Sequence, residues 1–282
     1  MSRIFWKSIP ILLATAGCTT TQVHSPALPG PVSPQPPERT SDNGPWAFTY
    51  RSDTLRVEIT RSAAIESQTD SGTRREISTN NTHETIAVMV DGDSIRYTAT
   101  VDSFATASQG QIGNVQPVTL PVLTSGTIGT GVGADSTIQS CDPVKATLET
   151  DIRNLLVSFP QQLAPAQTWR DSVVRLSCYG SIPMRATVVR TFSVVGRTSL
   201  NGQSAVAIQR SDSISAHGEG RQQQHQLIVD VSGTGTATYY LIPELGKLSR
   251  LTTGQDLDFT IRASARVSRF RESAKEEFSE LP

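Results

Sequence analysis

Few residues in this chain could do chemistry, and their spacing limits what each group can do. Gly129-Thr130-Gly131-Val132-Gly133-Ala134 matches GxGxxA, the weaker form of the dinucleotide-binding fingerprint. That fingerprint needs a strand before it and a helix after it, so that pyrophosphate meets a helix N-terminus. Asp135 to Gln139 carries no helical stripe, and the segment reads as a glycine loop. Ser41-Asp42-Asn43 spells one element of the serine β-lactamases, but the SxxK and KTG elements are absent. Asp91-Gly92-Asp93 offers carboxylates without the further oxygens that calcium needs, and a hairpin turn accounts for all three. His217 and His225 flank Gly218-Glu219-Gly220 and the run Gln222-Gln223-Gln224, read as a polar loop. No third ligand stands at a useful spacing, so no metal site is expected. His83 and the many Ser and Asp residues form no GxSxG elbow, and a triad is defined only by position in space. No catalytic residue, metal or cofactor is expected.

The cysteines are more informative. There are three, Cys18, Cys141 and Cys178. Arg3 and Lys7 precede the apolar run from Ile9 to Ala16, which is too short to span a bilayer and reads as a signal peptide over residues 1–17. Ala14-Thr15-Ala16 fits ordinary secretory cleavage. Thr15-Ala16-Gly17-Cys18 resembles the lipobox of bacterial lipoproteins, with Thr15 where leucine is usual. Parity favours the second reading, because an odd thiol is a liability in an oxidising compartment. Lipidation of Cys18 leaves Cys141 and Cys178 to form a disulfide, closing a loop of about 38 residues worth about 4 kcal/mol if unstrained. Residues 18–45 then form a Pro/Thr-rich tether, from Thr19-Thr20-Thr21 to Pro45, too poor in apolar bulk to fold. Resemblance to the lipoprotein class implies that Thr19, in place of Asp, directs the protein to the outer membrane, facing the periplasm.

Elements to position any site begin at residue 46. Ile86, Val88 and Val90 alternate with polar residues up to Asp91-Gly92-Asp93, and Ile95, Tyr97, Ala99 and Val101 continue beyond it. That pattern predicts a hairpin with one apolar face. A second hairpin turns at Asn201-Gly202, between Met184–Val194 and Ala205–Ile208. Further strands are expected at 46–60, 169–178, 226–231, 236–242, 248–252 and 257–267. Together they predict a mainly β domain over 46–270, with about ten strands in a large curved antiparallel sheet or half-barrel. One amphipathic helix at about 143–159 is expected to pack on it, with Asp142 as cap, Pro143 at the first position and Pro160 as stop. Residues 271–282 read as a charged C-terminal tail, a short surface helix or a disordered end.

Trp46, Phe48, Tyr50, Trp169, Phe192, Tyr239, Tyr240 and Phe259 fall in these strands, to fill a core or to line a cavity. A net charge of −1 with no basic stripe excludes nucleic acid as a partner. The layout resembles the LolA- and LolB-like lipoprotein carriers, whose curved sheets shelter acyl chains beneath helices. That resemblance implies a lipophilic ligand and assigns no binding residue. The functions consistent with all this are, in order, a non-catalytic binding or scaffold lipoprotein, a carrier of a lipid-like ligand between sheet and helix, and an envelope hydrolase. Its partners would be the membrane through the lipid anchor, and a protein or a hydrophobic ligand.

Overall fold

A computed structural model describes residues 44–69, 72–91, 94–106, 118–123, 150–155, 157, 159–222, 224–264 and 266–281. Cys18, Cys141, the signal peptide, the tether up to residue 43, the glycine loop at 129–134 and the first turns of the expected helix lie outside them.

The strands are β1 (Trp46–Ala47), β2 (Asp53–Thr69), β3 (Gly72–Asp91), β4 (Ser94–Thr106), β5 (Val118–Leu123), β6 (Gln162–Leu163), β7 (Thr168–Tyr179), β8 (Ile182–Leu200), β9 (Gln203–Gln222), β10 (His225–Ile242), β11 (Lys247–Ala263) and β12 (Arg266–Glu280). Helix α1 spans 150–155. Ten strands form one antiparallel sheet in the order β5-β4-β3-β2-β12-β11-β10-β9-β8-β7, and β1 pairs with β6 apart from it. The sheet is curved and is not closed into a barrel. The expected fold class is therefore observed, with one α-helical segment among the described residues.

Period-2 alternation sets the two faces. In β8, every second residue from Ile182 to Val194 is buried. The hairpin at Asn201-Gly202 has both residues at positive φ (51° and 79°), the pair of conformations a two-residue primed turn requires. Pro121 lies in β5, an edge strand, where a missing N–H costs no ladder bond.

Three expectations need correction. The charged tail at 271–282 is no tail, since Arg266–Glu280 is strand β12, and it pairs with β11 on one side and β2 on the other. Its inward parity alternates Phe270, Glu272, Ala274, Glu276 and Phe278, and the two glutamates hide the apolar rhythm. The strand expected at 257–267 instead turns at Ser264, with Ala263 paired to Arg266. The loop expected between His217 and Gln224 is strand β9 as far as Gln222.

The helix also ends earlier than Pro160 requires. Its described part stops at 155, and the Val157 carbonyl accepts a hydrogen bond from the Tyr50 hydroxyl (2.9 Å) rather than from a helical amide. The chain then runs extended so that Phe48 N–H donates to the Gln161 carbonyl beside the β1–β6 pair. Ile152, Leu155, Val157 and Phe159 enter a core with Ile59, Ile86, Phe192, Ile208, Tyr239 and Phe278 from the concave face. Phe159 meets the ring edges of Phe48 and Tyr239, each at 5.5 Å between centroids. This core fills one half of the concave face.

Candidate functional site

Tracing register across β8 to β12 gives inward-facing rungs that differ in chemistry. The rung Val194, Ile208, Tyr239, Leu251 and Phe278 is apolar and buried. The next holds Phe192, Arg210, Ala237, Thr253 and Glu276, and continues to Arg61 on β2. Beyond it stand Arg190 and Asp212, and then the chemistry turns apolar again with Val188, Ile214, Gly233 and Leu257, followed by Ala186, Ala216, Val231, Phe259 and Phe270. A charged belt thus crosses the concave face between two apolar zones. The zone on one side is the filled core. The other walls a cleft of about 310 Å³, bordered by the Arg153 and Asn154 positions of α1 and by the belt.

Most of the belt is internally matched. Arg190 makes a two-pronged pair with Asp171 on β7 (2.7 and 2.5 Å), and its guanidinium lies over the Phe192 ring at 5.4 Å. Arg210 pairs with Asp212 at 2.8 Å and donates to the Tyr239 hydroxyl. Burial works against the charge on Arg210, but Tyr239 and Asp212 outweigh it and hold its pKa up.

Arg61 carries the densest cluster. It donates to Asp151 of α1 (2.5 Å) and to Thr82 Oγ1 (2.8 Å), with Glu276 at 3.4 Å and Glu84 at 3.8 Å. One guanidinium cannot compensate three buried carboxyls. Burial first, and the neighbouring Asp151 second, push Glu84 up to about 9, so it is neutral near pH 7. Asp151 and Glu276 are also raised by burial. Glu84 Oε2 and Asp151 Oδ1 are both buried without a hydrogen-bond partner. This pair has the composition of an acid–base dyad, but Glu84 is 1% and Asp151 0% exposed, and only Asp151 borders the cleft.

No protein-family model matches the chain, and no curated protein matches it. The reading of the site therefore rests on its geometry.

Arg175 of β7 differs from its neighbours. It lines the cleft opposite Ala186, makes no ion pair or hydrogen bond, and its Nε is buried without a partner. Burial first, and the Arg210 charge second, push its pKa down. Glu276 acts on Arg175 although five strand steps separate β12 from β7, so the sheet curls far enough to bring its strands face to face.

The histidines considered for chemistry lie elsewhere. His83 is on the outer face beside Glu58 (3.7 Å), and His225 is exposed at the β9–β10 hairpin. His217 is on the outer face between Asp230 (2.8 Å) and Glu219 (3.4 Å); the hydrogen bond to Asp230 raises its pKa most. Among the described residues, no group of three His, Cys, Asp or Glu could hold a metal ion. Cys178 is disulfide-bonded and borders the cleft; its expected partner, Cys141, lies outside the described residues. Of the aromatics, Trp46, Phe48, Phe192 and Tyr239 are core, with Tyr50 and Trp169 packed against it, whereas Phe259 lines the cleft. A second recess, between Tyr50, Leu248 and Ile152, is only about 30 Å³, enough for about one water molecule.

Sequence reasoning did not find the belt. Its signal was present in β8 and β9, where Arg190, Arg210 and Asp212 occupy the parity otherwise held by Ala186, Val188, Phe192, Ile208 and Ile214. A charge on the buried parity of a long strand needs a partner, and that need marks it. β7 offered no such signal, because Val174 on its outer parity (49% exposed) is as apolar as Val173 on the inner.

Proposed function

We propose that this protein is a non-catalytic binding lipoprotein of the cell envelope that takes a small, largely apolar ligand in the cleft between its curved sheet and α1. The observation that carries this reading is the cleft itself. About 310 Å³ remains beside Val188, Ile214, Val231, Leu257 and Phe259, although the other half of the same concave face is filled. That volume is near the lower end of the roughly 300–1,000 Å³ of small-molecule sites. A curved sheet with a helix on its concave face also supports the likeness in layout to the LolA- and LolB-like carriers.

Binding is favoured over hydrolysis because Glu84 is buried away from the cleft and His217, His83 and His225 do not line it. Attachment through Cys18, by the lipobox and cysteine parity, would hold the domain at the outer membrane on the periplasmic side, with 18–45 as spacer.

The test is native mass spectrometry of the protein extracted from its own membranes in gentle detergent. A co-purifying small amphiphile is expected, and it should be lost in Ala216→Phe, which places a ring in the cleft. Absence of any bound molecule in the wild type, or equal retention in Ala216→Phe, would reject the cleft as the binding site. Metabolic labelling with a clickable fatty acid tests the anchor separately; label that persists in Cys18→Ala would overturn it.

A further inference from the structure

We propose that the ligand of this cleft is a single-chain amphiphile whose anionic, oxygen-rich head is held by the Arg175 guanidinium, with its chain against Val188, Ile214, Leu257 and Phe259. This rests on the cleft being the binding site, and adds the chemical class of the ligand and the residue that selects it.

Arg61, Arg190 and Arg210 at the border of the cleft each have carboxylate partners within 2.5–2.8 Å. Arg175 has none in contact: Glu276 and Asp212 act on its charge only from beyond ion-pair distance, and its Nε–H is buried and unused, as are those of Arg61 and Arg210. A largely buried guanidinium with no carboxylate in contact is costly, and an acceptor-rich anion is the group that relieves the cost. The charge of Arg210 nearby adds to the attraction for such a group. Glu272 is the other unpaired ionisable group on the wall, and burial pushes it up towards its neutral form, so it opposes an anion weakly. Ala186 opposite Arg175, and Ala216 beyond it, leave the space that a head group needs. Beyond that point the wall is apolar, and the volume suits one slender chain.

Laurate, 1-dodecanol and acetate, titrated by calorimetry into purified, delipidated protein, separate the possibilities. Laurate should bind about tenfold or more tighter than 1-dodecanol, the difference one charge-assisted contact makes, and acetate should not bind detectably. Arg175→Gln should weaken laurate by about tenfold and leave 1-dodecanol unchanged, while Arg175→Lys recovers part of the loss. Because the guanidinium has no partner to lose, the melting temperature of unliganded Arg175→Gln should equal or exceed that of the wild type. Equal affinity for laurate and 1-dodecanol would overturn the anionic head while leaving the cleft as a binding site, as would laurate binding indifferent to Arg175→Gln. Acetate as tight as laurate would make this a site for free anions and overturn the amphiphile. If neither twelve-carbon probe binds, the cleft reading fails and this inference with it.

Discussion

Glu84 is a carboxyl buried beside other carboxyls, Asp151 and Glu276, around a single guanidinium. Its carboxyl, raised to about 9 from an ordinary 4.5, binds a proton in the folded state that the unfolded chain releases across that interval. The folded state therefore holds more protons over that window, and stability falls as pH rises through it. Below about 4.5 both states are protonated at this site and the contribution is level. Glu84→Gln keeps the shape and one donor while removing the titration. Urea unfolding at pH 5, 7 and 9 should place the variant within about 1 kcal/mol of wild type at pH 7, with a shallower decline towards pH 9. A decline as steep as wild type's would show that another group carries it. The coupling extends to α1, because Asp151 reaches the same guanidinium from the helix.

At the scale of elements, β10 shows how the sheet achieves its bend. Gly233 and Gly235 stand at inward positions of that strand. A β-carbon on Gly233 would lie 2.1 Å from the Asp256 carbonyl oxygen and 2.9 Å from Leu257 Cα, so backbone would have to move. Glycine in a strand marks such close approach. Gly233→Ala should cost about 1–3 kcal/mol, read from chemical unfolding, and should widen the β10–β11 pairing in hydrogen exchange. The strands were readable where most inward residues are apolar, as at Ile86–Val90 of β3, Ile95–Val101 of β4, Met184–Val194 of β8 and Ala205–Ile208 of β9. They were not readable in β12, where Glu272 and Glu276 take inward positions, and the partner of Glu276, Arg61, comes from β2, about 200 residues away in sequence. The same cause hid the charged belt. Arg61 looks like a surface arginine until Asp151 and Glu276 are brought to it by topology, and no local pattern announces that meeting.

Taken whole, the sheet is an up-and-down meander whose chain starts in the middle. Strands β7 to β12 follow one another, and the order then continues through β2, β3, β4 and β5. Leu281 N–H donates to the Arg56 carbonyl (2.8 Å), so the end of β12 lies beside the start of β2. A circular permutant opened between Leu123 and Thr150, with Leu281 joined to Gly44 by a short flexible linker, makes the β12–β2 pair local in sequence. It should reach a melting temperature similar to wild type while refolding faster in stopped-flow measurements, because the longest loop closure is removed. Unchanged refolding would place the slow step elsewhere. If Cys178 is paired with Cys141 as expected, opening the chain between Leu123 and Cys141 keeps the disulfide, and melts should be compared with it intact in both proteins.

The position of β12 also has a consequence in time. A ribosome makes this strand after the other nine of its sheet, yet the finished sheet holds it at the fifth of ten places. Until its fifteen residues emerge, β2 and β11 each present an open edge, and Arg61 lacks Glu276. A chain that stops before β12 is thus split through the middle of its sheet instead of being trimmed at a border.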